Sequence, residues 1–211
     1  MTIITKNITN FVFFKKNIAM LQQKLKDYNV ILASGSPRRQ QFFKDLDIDF
    51  SIQLKEIEET YPDHLKGAEI TNYLSDLKSK AFLNLNDNDL LITSDTIVWL
   101  EDKALGKPKD AKHAYNMLRA MSGRKHEVIT SFSIKTNTFQ KIISDITMVT
   151  FKELSDDEIH YYINNYKPFD KAGAYGIQEW IGFIGIDKIE GSYFNVAGLP
   201  VHKLYKELMA L

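Results

Sequence analysis

The chain has 211 residues, of which 44% are hydrophobic and 26% charged, a composition typical of a globular protein with a sizeable core. Its 27 basic residues balance its 27 acidic residues, so no global charge favours a nucleic acid or an anionic membrane as partner. The absence of cysteine excludes disulfides, thiolate metal ligands and a thiol nucleophile, and it fits a cytoplasmic location.

The first 19 residues are polar and carry several lysines, apart from one short apolar run over residues 11–14. Such a run is too short for a signal peptide or a membrane span. We therefore expect an N-terminal appendage over residues 1–19, poorly ordered or a short helix, followed by a single domain over 20–211. Met20 is a candidate alternative start, with a short helical lead-in to the first strand.

The first strand runs into the sequence LASGSPRR, which joins it to a helix through a turn of small residues. Ser36 suits the N-cap, and the proline after it suits the first helical position. The partial positive charge of the helix N-terminus then faces Ser34, beside the full charges of Arg38 and Arg39. The segment suits phosphate, although a plain strand-to-helix turn with two solvated arginines is equally compatible with it.

Strand and helix patterns alternate along the rest of the chain. Apolar spacing predicts a helix after Arg39, further helices over 70–85, 110–121, 154–165 and 201–211, and strands over 50–54, 90–92, 97–100, 128–135 and 141–151. Alternation of this kind predicts an α/β fold with a mixed sheet.

Three further segments carry groups suited to ligand binding. Asp95 is predicted at the end of an apolar strand, where open α/β sheets bind their ligands. Lys107 precedes a proline, which holds it extended. A glycine-rich loop over 169–178 allows close approach of the backbone and contains Asp170, Lys171 and Gln178.

Eight motifs in order resemble those of the Maf family of nucleoside triphosphate pyrophosphatases, and the resemblance covers residues 29–208. They are LASGSPRR, IEE (57–59), LKSKA (77–81), SDTIV (94–98), LGKP (105–108), MLRAMSGRKHEV (117–128), DKAGAYGIQ (170–178) and IEGSYFNVAGLP (189–200). The resemblance implies an elongated mixed β-sheet flanked by helices, in two lobes around a central cleft, as in inosine triphosphatase. It also implies hydrolysis of a nucleoside triphosphate to the monophosphate and pyrophosphate, a divalent cation (Mg²⁺, or Mn²⁺), and a homodimer.

The resemblance also implies roles for single residues. Asp95 matches the proton acceptor for the attacking water, and Glu59 and Asp95 are the expected metal ligands, since Mg²⁺ prefers oxygen. Attack on the α-phosphorus requires cations around the phosphates, and the expected substrate-binding residues are Ser34, Arg39, Lys80, Lys107, Asp170 and Lys171. Read alone, Lys80 is typical of a solvated helix face, and Asp170 could simply pair with Lys171.

Three positions bear on the choice of base, namely Arg38, Thr96 and Gln178. They resemble the branch of the family that hydrolyses dTTP and UTP, whereas the branch preferring 7-methyl-GTP tends to carry tryptophan, glutamine and glutamate there. A glutamine amide offers the donor and acceptor that the imide edge of uracil or thymine requires. We expect dTTP and UTP as substrates. The alternatives are 7-methyl-GTP and a nucleotide-binding regulator of septum formation whose hydrolysis is incidental.

Overall fold

The computed structural model of the protein describes residues 20–211. The predicted appendage over 1–19 lies outside the described residues, so its boundary at Met20 stays a prediction. Residues 20–25 are helical and lead into the first strand, and Leu21 and Leu25 pack into the core.

The described part of the chain forms one mixed seven-stranded sheet flanked by helices, which confirms the predicted fold class. The strands are β1 Asn29–Leu32, β2 Ser51–Ile52, β3 Asp89–Leu100, β4 Lys103–Leu105, β5 Lys125–Lys135, β6 Gln140–Phe151 and β7 Ile186–Glu190. The helices are α1 Pro37–Asp45, α2 Ala68–Lys80, α3 Ala111–Met121, α4 Asp156–Tyr166, α5 Trp180–Gly185, α6 Tyr193–Val196 and α7 Val201–Met209, with a 3₁₀ turn at Ala172–Ala174.

The sheet order is β2-β1-β3-β5-β6-β7, with β4 beside β3. Strand β1 pairs parallel with β2 and with the start of β3, whereas all other neighbours are antiparallel. The three longest strands, β3, β5 and β6, have 11 or 12 residues each and contribute side chains to two separate hydrophobic cores. The sheet is therefore elongated, as the resemblance implies.

Successive residues of β3 face opposite sides of the sheet. One face carries two hydrophobic cores, one in each lobe, and the other face packs against α2. Leu90 and Ile92 pack under α1 and α7 in the first lobe, and Val98 packs under α3 and α4 in the second. Ile97 faces the opposite side, where it packs against Ile70 of α2. The side chains of β3 thus carry one lobe at each end and α2 behind the sheet.

Several predicted boundaries differ from the structure, and two of the differences have an identifiable cause. Helix α2 ends at Lys80 rather than at 85, where the ammonium of Lys135 donates to the carbonyls of Ser79 and Phe82 and so satisfies acceptors at the helix C-terminus. The two apolar runs predicted on either side of Asp95 form one continuous strand, so Asp95 lies within β3 rather than at its end.

The position of Asp95 still coincides with a break in the sheet. On one edge of β3, pairing with β1 ends at Ile92 and pairing with β4 begins at Val98. The other edge pairs with β5 throughout this stretch. In the described part of the chain, the first edge therefore has no strand partner beside Asp95, and this gap opens between the two lobes.

His126 lies in the core of the second lobe, 2% exposed, with its Nε2 2.9 Å from the hydroxyl of Tyr175. Burial lowers the pKa of His126 from 6.5 to about 4. The unfolded chain therefore binds more protons than the native protein between these values, so stability falls as the pH drops through this window.

We expect the free energy of unfolding to fall by about 2 kcal/mol between pH 7 and 5 through His126 alone. Denaturant unfolding of the wild type and of His126→Gln at both pH values measures this difference, and the variant should lose most of it. His64→Gln, at an exposed histidine, is the matched control. Equal pH dependence in wild type and His126→Gln would contradict the prediction.

Candidate active site

A cleft of about 1160 Å³ lies between the two lobes at the open edge of β3. Small-molecule sites commonly have about 300–1000 Å³, so the cleft has room for a ligand with several groups. The expected site residues that line it are Ser34, Arg38, Arg39, Glu59, Asp95, Thr96, Lys107, Asp170, Lys171 and Gln178. Segments far apart in the sequence thus converge on one cleft.

Lys80 is the expected site residue that the structure does not bring to the cleft. Its side chain is 67% exposed and its Nζ pairs with Asp76 at 2.6 Å. Side chains two positions apart on a helix point about 200° apart, so Lys78 and Lys80 cannot face the sheet together. The expectation for Lys80 is corrected to a surface ion pair.

Lys78 occupies the position expected of Lys80. Its Nζ lies 2.6 Å from Oδ1 of Asp95 and 3.0 Å from Oε1 of Glu59. The sequence spacing indicates that Lys78 faces the sheet, since it follows the buried Ile70 and Leu74 at intervals of four residues. We call Lys78, Asp95 and Glu59 the carboxylate cluster.

Asp95 sits on the face of β3 that packs against α2, and its side chain is only 10% exposed. The neighbouring strand residue Thr93 donates from its hydroxyl to the carbonyl of Ser75 at 2.6 Å, which fixes β3 against α2. The carboxylate of Asp95 therefore projects from a rigid strand toward Lys78. Catalytic groups on rigid elements keep their geometry better than groups on loops.

Glu59 completes the cluster from the loop before α2. Burial acts to raise the pKa of Glu59, but the ammonium of Lys78 and the charges of Lys107 and Arg39 outweigh burial and lower it. Glu59 is therefore a carboxylate at neutral pH. Lys107 is exposed at the rim of the cleft, and its positive charge contributes to lowering the pKa of Glu59.

Arg39 is partly buried and binds three parts of the cleft wall. Its Nε donates to the carbonyl of Gly198 at 2.8 Å, its Nη1 to the carbonyl of Ser94 at 3.0 Å, and its Nη2 to Oγ1 of Thr96 at 3.0 Å. Burial lowers the pKa of Arg39 to about 10, so it stays charged at neutral pH. Its guanidinium covers the open edge of β3, and most of its N–H groups already have protein acceptors.

The start of α1 forms another part of the wall. Ser36 occupies the N-cap with an extended backbone and Pro37 follows it, as predicted, but the Ser36 side chain makes no capping hydrogen bond. Its own N–H instead donates to Oγ of Ser34 at 3.3 Å. The first turn of α1 thus keeps N–H groups that its cap does not satisfy, and such a helix N-terminus favours an anion.

The carboxylate cluster is the part of the cleft that suits a divalent cation. Within residues 20–211, no group of three or more acidic, histidine or cysteine side chains could hold a metal. Mg²⁺, however, commonly takes one or two protein carboxylates and completes its shell with water and phosphate oxygens. Asp95 and Glu59 already face one cation, the ammonium of Lys78, so their hard oxygen donors fit such an ion.

The three residues expected to determine base specificity line the same cleft. The hydroxyl of Thr96 is 2.9 Å from that of Thr130, besides its bond to Arg39. Arg38 points away from Arg39 and pairs with Asp170 at 3.4 Å. Oε1 of Gln178 is buried and finds no hydrogen-bond partner among the described residues.

The elongated sheet, the cleft between two lobes and the cations around a carboxylate pair define an α/β protein with a site for a polyanionic ligand. The chain belongs to the Maf family, since the family model described as Maf-like protein matches residues 29–211. The resemblance seen in the eight motifs is thereby confirmed.

Curated relatives cover almost the whole chain. A dTTP/UTP pyrophosphatase of Flavobacterium johnsoniae is 62% identical over 91% of this chain and 100% of its own length. A dTTP/UTP pyrophosphatase of Flavobacterium psychrophilum is 59% identical over 90% of this chain and 98% of its own. A solved structure, a HAM1 protein from Coxiella burnetii, is 16% identical with a TM-score of 0.50, and it covers 87% of this chain and 100% of its own. The last likeness supports the fold alone.

Proposed function

We propose that the protein hydrolyses nucleoside triphosphates, preferentially dTTP and UTP, to the nucleoside monophosphate and pyrophosphate. The observation that carries the proposal is the carboxylate cluster in an interlobe cleft that is also lined by Arg39, Lys107 and the start of α1. The names of the two Flavobacterium relatives support the choice of substrates.

In the proposed reaction, water attacks the α-phosphorus and Asp95 accepts the proton that the water loses. The new bond joins the water oxygen to the α-phosphorus, and the bond from that phosphorus to the bridging oxygen breaks, which releases pyrophosphate. Lys78 holds the carboxylate of Asp95 in place. A positioned general base of this kind contributes about a hundredfold or more to the rate.

Charge on the phosphates increases during this step and needs cations nearby. Lys107 and the N-terminus of α1 would bind the phosphate oxygens, with Ser34 beside them, while Arg39 holds the wall. A divalent cation held by Asp95 and Glu59 would neutralise phosphate charge and lower the pKa of a bound water. We propose Mg²⁺, with Mn²⁺ as the alternative, because the donors are oxygens.

We propose that the base lies against Gln178, Arg38 and Thr96, where the Gln178 amide would recognise the imide edge of uracil or thymine. The homodimer and the cytoplasmic location remain part of the proposal. The resemblance supports the dimer, which light scattering of the purified protein would test. No helix within residues 20–211 is long and apolar enough to cross a membrane.

The proposed function is tested by pyrophosphate release from purified protein with dTTP, UTP, CTP and 7-methyl-GTP in the presence of Mg²⁺. We expect the highest kcat/KM with dTTP and UTP, and no turnover when EDTA replaces the metal, since without a cation the two carboxylates repel the triphosphate. Faster hydrolysis of 7-methyl-GTP would overturn the substrate preference. Undiminished turnover in EDTA would overturn the metal requirement.

A further inference from the structure

Glu179 is a partly buried carboxylate next to the cleft, and the proposed reaction does not use it. Its side chain is 20% exposed, and Oε1 lies 3.0 Å from Nζ of Lys171. Oε2 accepts a hydrogen bond from the hydroxyl of Tyr162 in α4. Removing a carboxylate from water costs free energy that its ion-pair partners offset only in part, so the position of Glu179 calls for an explanation.

The ion pair with Lys171 continues across the cleft. Nζ of Lys171, itself 8% exposed, also lies 2.7 Å from Oδ1 of Asp170, and Oδ2 of Asp170 lies 3.4 Å from Nη1 of Arg38. Arg38 belongs to α1 in the first lobe, whereas the other three residues belong to the second lobe. We call Glu179, Lys171, Asp170 and Arg38 the interlobe chain. It begins at the partly buried carboxylate of Glu179 and ends at Arg38, a side chain expected to contact the base.

The neighbouring cations keep Asp170 charged within this chain. Burial acts to raise the pKa of Asp170, but Lys171 and Arg38 outweigh it and lower the pKa. Burial, and then the bond to Glu179, raises the pKa of Tyr162, so its phenol remains a donor at neutral pH. Lys171 was expected to bind substrate, yet its ammonium faces two carboxylates of its own lobe.

The loop that carries Gln178 is built around the same carboxylate. A side chain on Gly176 would place its Cβ 3.0 Å from Cδ of Glu179 and 3.1 Å from Cε of Lys171. The N–H of Gly176 donates to the Tyr162 hydroxyl at 3.1 Å, and the N–H of Glu179 donates to the Gly176 carbonyl at 3.0 Å. The backbone next to Gln178 is therefore held from both sides by Glu179 and its partners.

We propose that Glu179 is a positioning residue for base recognition: it fixes Lys171 and, through Asp170, the guanidinium of Arg38, which lines the same cleft as Gln178. The inference rests on the proposed function, since it assumes that a pyrimidine base lies between these two side chains. Glu179 touches neither base nor phosphate in this account. It sets the separation of the two groups that read the base.

The test uses Glu179→Gln, which keeps the size of the side chain and an acceptor for Tyr162 but removes the charge facing Lys171. We expect KM for UTP to rise about three- to tenfold with kcat within about twofold, and the preference for UTP over CTP to fall by a similar factor. Glu190→Gln is the matched control, because Glu190 also pairs with two lysines but lies outside the cleft. It should leave both quantities unchanged.

A double-mutant cycle with Asp170→Asn separates positioning from a purely structural role. If Glu179 acts through Asp170, the double variant should resemble the single ones rather than show the sum of their effects. Additive effects, or a fall in kcat at constant KM and constant UTP preference, would overturn the inference. So would a lower KM for UTP in Glu179→Gln, which would mean that a released Lys171 binds substrate directly.

The binding arm of the experiment keeps this inference distinct from the proposed function. Calorimetry in EDTA measures the affinity of wild type and Glu179→Gln for UTP and CTP without turnover. A loss of UTP preference in the variant supports the inference even if no hydrolysis occurs. Wild-type protein that binds UTP and CTP equally overturns it, whereas wild-type protein that binds UTP selectively but releases no pyrophosphate overturns only the proposed function.

Discussion

Replacing Asp95 with asparagine should lower kcat for dTTP and UTP by at least about a hundredfold while the protein still folds. Asparagine has nearly the same volume but cannot accept the proton from the attacking water. Lys78 keeps Glu59 as a partner in this variant, so its ammonium is not left unpaired. Steady-state pyrophosphate release measures kcat, and thermal unfolding checks the fold.

Asp145→Asn is the matched control for this variant. Asp145 is another largely buried carboxylate on a strand, and it pairs with Lys203 at 2.7 Å away from the cleft. We expect its removal to leave kcat within about twofold, since it contacts no group of the proposed reaction. An Asp95→Asn enzyme with turnover close to wild type would remove Asp95 from the mechanism.

The second large effect is expected for Lys78→Met, with a loss of at least about thirtyfold in kcat. Methionine keeps the apolar stem, but it leaves the carboxylates of Asp95 and Glu59 facing each other without the ammonium between them. Repulsion between the two neighbouring negative charges then raises the pKa of one of the two carboxylates. The pH dependence of kcat/KM should accordingly shift upward on its acidic limb.

Lys80→Met supplies the control for this prediction on the same helix. Its ammonium pairs with Asp76 on the exposed face, so we expect activity within about twofold of wild type. A greater loss of activity in Lys80→Met than in Lys78→Met would restore the original sequence-based assignment. It would contradict the helical phase seen in the structure.

Sequence patterns predicted helices and strands correctly where local capping residues and the packing of the fold favour the same structure. The helix predicted over 154–165 begins after Ser155, whose N-cap is completed to a capping box by Glu158, and the strands predicted over 128–135 and 141–151 pair as β5 and β6. The prediction for Lys80 was wrong because the motif gives only the residue type, whereas the helical phase gives the side that faces the sheet. Leu74 and Ile70 indicate that side.

The parts of the site that escaped prediction depend on contacts between distant segments. The bonds of Arg39 to Gly198 and Ser94 join residues far apart in the chain, and no local pattern indicates that this arginine supports the wall. Asp95 was expected at a strand end because the polar run around it breaks the apolar pattern. Its pairing with Ser131 of β5 carries the strand through that run.

The central claim is that the protein cleaves the triphosphate at the α-phosphorus by means of the carboxylate cluster. Hydrolysis of UTP in heavy-oxygen water, followed by mass spectrometry of the products, tests it most directly. We predict that the wild type places the heavy oxygen in UMP and leaves pyrophosphate unlabelled, and that Asp95→Asn forms neither product at a comparable rate. Heavy oxygen in released pyrophosphate, or formation of UDP and orthophosphate, would contradict the account.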